Sequence, residues 1–484
     1  MQWAKKIGSN GWSANANNNS RSLAVDADGN VYSAGLFFMT LDFDPGAGVF
    51  EMTPGGRNGD AIYILKLSPA GEFIWAKQLA MTIEGPVYLT LDRFANVYLT
   101  SVVRDPSDMD PGPEVHMITP IGAKDAFVIK FNSAGEFLWV KQFGGPGDTV
   151  PAGNAITIDN EDNVIVCGAF NNVVDFDPGS NVFNLTAAGT MDAFITKLSQ
   201  NGALIWARKL GSTVSRFDNV SIADILCDEN NNIYTTGHFG GNCDFDPGAN
   251  NFILQSGGPA DGFISCLDVN GNFVFAKKIG NSALNYSVFP RGIALDAQNN
   301  LLIAGSFIGT QDFDPGIGIA PVYSAGSFDA FVLKLTGQGN FIWVRNIGAA
   351  ETDQGIDVAT DNAENVYVIG QYYGNIDFDP GSGVFMKSLR DATVLSKFDK
   401  NGNFIYSAAF EGYSIGGRVV TDAAHNIYIT GSFYGIVDFD PGPEVFEFDG
   451  GPNRSEIFVL KLAKCLNQTY SVLNVNSCGS YILN

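Results

Sequence analysis

Carboxylates two residues apart recur through this 484-residue chain, in a segment that reads Asp-Phe-Asp-Pro-Gly. The copies begin at Asp42, Asp108, Asp175, Asp244, Asp312, Asp377 and Asp438, with Met109 replacing Phe in the second. A further acid follows each pair at Asp60, Asp125, Asp192, Asp261, Asp329, Asp391 and Glu456. In an extended segment the two Asp point the same way and repel unless something neutralises them. Hard cations take oxygen ligands from carboxylates and backbone carbonyls. The first chemistry on offer is therefore one Ca²⁺ site per repeat. Its ligand sets would be Asp42, Asp44 and Asp60; Asp108, Asp110 and Asp125; Asp175, Asp177 and Asp192; Asp244, Asp246 and Asp261; Asp312, Asp314 and Asp329; Asp377, Asp379 and Asp391; Asp438, Asp440 and Glu456.

A turn-building reading competes with it. Pro-Gly suits the centre of a type II turn, and Asp is favoured just before it. The residue before Pro is pushed extended. Phe43 then faces away from the two Asp and can plug a core. This accounts for the second Asp, the Pro, the Gly and the Phe, and leaves the first Asp unexplained. The segment is not an EF-hand loop, because it lacks the third Asp or Asn, the Gly at position six and the Glu at position twelve. Another repeated Asp, at 26, 92, 159, 228, 296, 361 and 422, precedes a tight turn and is read as its cap.

Carboxylate pairs about 5–9 Å apart also serve glycoside hydrolysis. An active site is normally single, whereas these acids are spread evenly. The three histidines, His116, His238 and His425, stand alone, with no nucleophile motif, H-E-x-x-H or P-loop near them. No position breaks the repeat in a way that marks one copy. The residues point away from an enzyme and assign no catalytic group.

The motifs are 61 to 69 residues apart, the signature of a solenoid, propeller or array. Each unit holds a hairpin such as SLAVDADGNVYSAG, the acidic link, and a second hairpin such as DAIYILKLSPAGEFIWAKQL. Alternating Val, Ile, Phe and Tyr with Asn/Gly turns give four strands per unit, which is a propeller blade. The second hairpin carries an aromatic at Trp75, Trp139, Trp206, Phe275, Trp343 and Tyr406. The seventh unit lacks its last strand, but QWAKKIG at 2–8 matches IWAKQLA at 74–80, and Trp3 fills the seventh place. The expectation is an all-β, seven-bladed β-propeller with four antiparallel strands per blade over residues 1–464. Its N-terminal strand closes the ring and removes a free sheet edge. The aromatic stripe is read as blade-to-blade packing.

The unit resembles the bacterial β-propeller repeat, the SBBP family. The resemblance rests on DADGNVYSAG with DAIYILKLSPAG in unit one and DNAENVYVIG with DATVLSKFDKNG in unit six. It covers nearly all of residues 1–464, implies a propeller, and is nearly silent on chemistry. Residues 465–484 depart from the repeat and resemble the opening of a small Cys-containing C-terminal module of secreted bacterial surface proteins. A Cys465–Cys478 disulfide is one option there.

Bulk composition narrows the partners. The net charge is −23, and 14 of the 51 acidic residues sit in the seven motifs. That balance disfavours nucleic acid and anionic membranes and leaves cations open. No stretch of about 18 apolar residues is present, so no helical membrane span is expected. MQWAKKIG lacks the apolar core of a signal peptide. Cys167, Cys227, Cys243, Cys266, Cys465 and Cys478 show no C-x-x-C spacing, and Cys167, Cys227 and Cys266 read as buried thiols. The expected function is a secreted or cell-surface binding or adhesion scaffold of a bacterium, a monomeric ring within a longer chain. It would recognise a glycan or a protein through its long, varied loops, with Ca²⁺ as the expected cofactor. Two alternatives are a glycan-active enzyme on the same face and a structural spacer.

Overall fold

The computed structural model describes residues 1–9, 17–56, 59–82, 85–146, 152–212, 218–280, 286–442, 444–451 and 454–463. Residues 465–484, and with them the expected C-terminal module, lie outside that set. Every regular element among the described residues is a strand.

Seven antiparallel blades follow one another. In blade one the inner strand is Asn19–Val25, the second Val31–Phe37, the third Ala61–Leu67 and the outer Phe73–Leu79. They pair in that order. Blade seven has Tyr413–Thr421, Ile427–Tyr434 and Glu456–Leu462, and its outer strand is the N-terminal Trp3–Ile7. The register runs from Trp3 opposite Lys461 to Ile7 opposite Ile457. The ring thus closes as the sequence predicts.

Tight turns set the strand ends. Asp26 Oδ1 accepts from the amides of Asp28 and Asn30, at 3.1 and 2.8 Å, and the same cap recurs at Asp92, Asp159, Asp228 and Asp296. In blades three and five a third-strand lysine joins it, Lys197 to Asp159 and Lys334 to Asp296, each at 2.7 Å. Burial raises these two carboxyls, but the lysine and the Asn163 or Asn300 side chain outweigh it and hold them below the usual range.

The outer aromatics join neighbouring blades. The indole N–H of Trp3, Trp75, Trp139, Trp206 and Trp343 donates to Pro69, Ser133, Gln200, Val269 and Lys400 carbonyls at 3.0–3.2 Å. Each acceptor lies in the second-hairpin turn of the next blade around the ring. Seven apolar clusters make up the core. Each is shared between two adjacent blades, so blade contact and core are the same thing here. Cys167, Cys243 and Cys266 are buried free thiols, as read for Cys167 and Cys266, and Cys227 is a half-buried one. Burial pushes Cys243 and Cys266 up to about 12, with Asp218 adding for Cys243.

Candidate functional site

Two regions could carry function: the rim, built by the acidic links, and the axis, built by the inner strands. At the rim each link forms a short hairpin, as in Leu41–Asp42 with Glu51–Met52. The Phe of the motif is fully buried in every copy, as is Met109. Phe43 packs edge-on against Phe37 at 5.3 Å, and Phe176, Phe245, Phe313 and Phe439 make the same contact with Phe170, Phe239, Phe307 and Phe433 of their second strands. The plug sits between blades rather than within one. Phe43 shares a cluster with Ile7 and Ile457 of blade seven, and Phe313 with Ile264 and Ile279 of blade four. Backbone bonds clasp the link to the preceding outer strand. Asp42 N donates to Gly8 O at 2.9 Å, Asp175 N to Gly144 O at 2.9 Å and Asp438 N to Glu411 O at 3.1 Å. In blade four the clasp is a two-residue ladder, Gly211 with Asp244 and Ser212 with Cys243.

The first Asp, which sequence reasoning left unexplained, closes the loop. Asp42 Oδ1 accepts from the amides of Asp44 and Phe50 at 3.0 and 2.8 Å. Asp108, Asp175, Asp244, Asp312, Asp377 and Asp438 do the same, two and eight residues ahead. The second Asp then accepts from the Gly amide, Gly46 to Asp44 Oδ1 at 2.8 Å, again in all seven. None of these Gly lies at positive φ, so the expected type II turn is replaced by an Asx turn. The i, i+2, i+8 spacing of acid and amide was the available signal.

The third acids make contacts of their own. Asp125, Asp192, Asp261, Asp329 and Glu456 are fully buried and Asp60 nearly so. Asp125, Asp192, Asp261 and Asp329 accept from the amide four residues earlier, at 2.7–2.9 Å. Asp192 and Asp261 also meet Lys209 and Lys278, and Glu456 meets Arg454 at 2.9 Å. Asp391 differs: it is half-buried, at φ 56°, and bonded to Gln371 within a continuous strand. A methyl on Gly144 would lie 2.3 Å from the Asp125 carboxylate, which explains that glycine. Because Gly144 also accepts from Asp175, the buried acid of blade two abuts the motif of blade three. Burial drives Asp329 up to about 6 and Glu456 up to about 7, against the amides and cations near them. Among the described residues, the acidic and imidazole groups that come within 4.8 Å in a set of three are Asp110, Glu114 and His116. His238 lies in blade four's second strand with its ring 5.0 Å from Phe289, and His425 occupies a hairpin turn at φ 64°.

The axis supplies the break in symmetry that the sequence reading did not find. The residue four before each turn Asp is Ser22, Tyr88, Ala155, Asp224, Gly292, Asp357 or Arg418. In every blade but the second it follows a bulge in the inner strand. Arg418 reaches across the ring. Its Nη1 lies 3.0 Å from Asp224 Oδ2 and its Nε 3.4 Å from Asp357 Oδ2. Asp224 also accepts from Ile293 N at 3.2 Å and Asp357 from Val419 N at 2.8 Å. The pair raises the Arg418 guanidinium above its ordinary value despite its burial. Burial pushes Asp357 up to about 6, with Arg418 opposing and Asp224 adding. Arg418 and Asp224 line a cavity of about 360 Å³ with Tyr88, Thr90 and Thr157. A charged triad thus spans the axis at this level.

No family model matches the chain. It is 22% identical over 507 residues to an uncharacterized WD repeat-containing protein of Acanthamoeba polyphaga mimivirus, covering 89% of this chain and 36% of that protein. The chain thus spans about a third of the length of this curated relative. Among solved structures it is similar to virginiamycin B lyase from Staphylococcus aureus, at 8% identity and TM-score 0.42, covering 95% of this chain and 99% of that one. It is similar likewise to the RRP9 WD40 repeats, at 8% identity and TM-score 0.44 over the same shares. At these identities the likeness concerns fold alone. By its own strand order and closure, the chain is a seven-bladed β-propeller with a WD-repeat relative.

Proposed function

We propose that this ring is a non-enzymatic binding scaffold of the SBBP type, carried outside a bacterial cell or on its surface, and that its rim engages a protein or glycan at several points at once. One observation carries the reading. The residue seven after each first Asp is Val49, Val115, Val182, Asn251, Ile319, Val384 or Val445. The six aliphatic ones are 69–80% exposed. Single exposed apolar residues are ordinary, but the same exposed position filled six times around a rigid ring is a multivalent surface. The clasped loops behind it are rigid, which lowers the ordering cost of binding.

Calcium belongs to the same proposal. Oδ2 of Asp42 and of Asp44 takes no hydrogen bond among the described residues, and hard cations held there would relieve the crowding of fourteen carboxylates. The test has two arms. Binding of the intact protein to a glycan array and to immobilised cell-surface protein is compared with a variant carrying Ser at 49, 115, 182, 319, 384 and 445. Loss of the retained ligand at unchanged melting temperature supports the rim; equal binding moves recognition to the blade-joining loops. Melting after metal removal and after calcium return is followed in parallel, and an unchanged curve with no bound calcium removes the ion from the reading.

A further inference from the structure

We infer that Asp110, Glu114 and His116, on the rim of blade two, form a site for one divalent transition-metal ion of the zinc or nickel class. Their ligand atoms lie within 4.8 Å of one another. The set is not merely acidic, since it brings an imidazole to two carboxylates. Imidazole suits zinc, copper and nickel, whereas calcium prefers oxygen alone.

The backbone that carries them is fixed. Asp108 Oδ1 holds the amides of Asp110 and His116 at 3.1 and 2.8 Å, and Asp110 Oδ1 holds Gly112 N at 2.7 Å. The His116 ring packs on Phe137 with centroids 4.6 Å apart. In blades one, four and six the same place holds Phe50, Phe252 and Phe385, packed on Phe73, Phe273 and Phe404 at 4.9, 4.8 and 5.3 Å. His116 therefore keeps the packing of an aromatic ring and adds a nitrogen ligand. Charge gives an independent argument. No ion pair among the described residues involves Asp110 or Glu114, so two neighbouring carboxylates stand without a protein cation. Zinc takes such ligands at about 2.0–2.2 Å. Rotation of the exposed Glu114 and His116 side chains closes the remaining gap, and water completes the shell.

Blade seven provides an internal control. It reads Asp-Phe-Asp-Pro-Gly-Pro-Glu-Val-Phe from Asp438, against Asp-Met-Asp-Pro-Gly-Pro-Glu-Val-His from Asp108. The acids are the same and the imidazole is missing. The experiment is calorimetric titration of the full chain with zinc chloride, alongside His116→Phe and Phe446→His, with melting curves as the fold check. One zinc ion per chain is expected in the parent, at least tenfold weaker binding in His116→Phe, and a second equivalent in Phe446→His. His116→Phe should fold, since five other blades carry Phe there. Equal zinc stoichiometry and affinity in the parent and His116→Phe overturns the site, as does no zinc uptake by the parent at micromolar concentration.

Discussion

At the rim, Phe43, Phe176, Phe245, Phe313, Phe378 and Phe439 fill one position and do one thing: each is fully buried between its blade and the one before. At the axis, the corresponding set is Ser22, Tyr88, Ala155, Asp224, Gly292, Asp357 and Arg418, in which only Asp occurs twice. The geometry behind the contrast is simple. Blades diverge outward and leave a similar wedge at each outer edge, filled by Phe in six copies and by Met109 in the other. At the centre the positions face one another across the ring, and Arg418 with Asp224 and Asp357 form a charged set that needs unlike partners. Repetition marks where blades solve the same problem, and variation marks where they solve one problem together.

Four measurements test that contrast, beginning with the largest effect. Arg418→Leu strands Asp224 and Asp357 as uncompensated buried charges and should cost about 3–5 kcal/mol by denaturant unfolding. A loss below about 1 kcal/mol would mean the axis is not held by ion pairing. Phe313→Ala should cost about 3–5 kcal/mol, the usual range for emptying a buried aromatic site. The same change at Phe43 should match it, and a large disparity would break the equivalence of the wedges.

Stability against pH separates two classes of acid. Asp329, Asp357 and Glu456 bind protons more tightly folded than unfolded, with values of about 6, about 6 and about 7. Their contribution is full below the ordinary carboxylate range and is lost as pH rises through 6 to 7. Asp159, Asp296, Asp361 and Asp422 are shifted down, so their contribution holds above the ordinary range and is lost as pH falls below it. Melting should therefore be highest in mild acid and decline toward pH 8, by a few kcal/mol in all. A curve that instead rises from pH 5 to 8 would contradict the burial of those three carboxyls. Smallest is Asp312→Ala, which frees the amides of Asp314 and Ala320 and should cost about 1–2 kcal/mol. The same change at Asp377 should give the same figure.

The ring, its closure and its capped turns were legible because each is written locally and seven times. Trp3 could be matched to Trp75 by neighbouring residues alone, and Asp26 caps a turn four residues long. The plug was legible as buried, but its place between blades was not, since Phe43 meets Ile457 across the closed ring. The Pro-Gly turn was misread because Asp44 competes for the glycine amide that a type II turn leaves free. The axial triad was invisible for another reason. Arg418 and Asp224 lie 194 residues apart, and a search for periodicity draws the eye away from a position whose content varies from blade to blade.

The closure of blade seven also sets how the molecule answers force. Trp3 lies opposite Lys461, at the end of the pair from which both chain directions leave. Tension applied through residues 3 and 462 loads those hydrogen bonds in sequence, like a zip, instead of all together in shear. Blade seven is a latch: a modest pull opens the ring at one seam, while the other six blades, each made of continuous chain, stay shut.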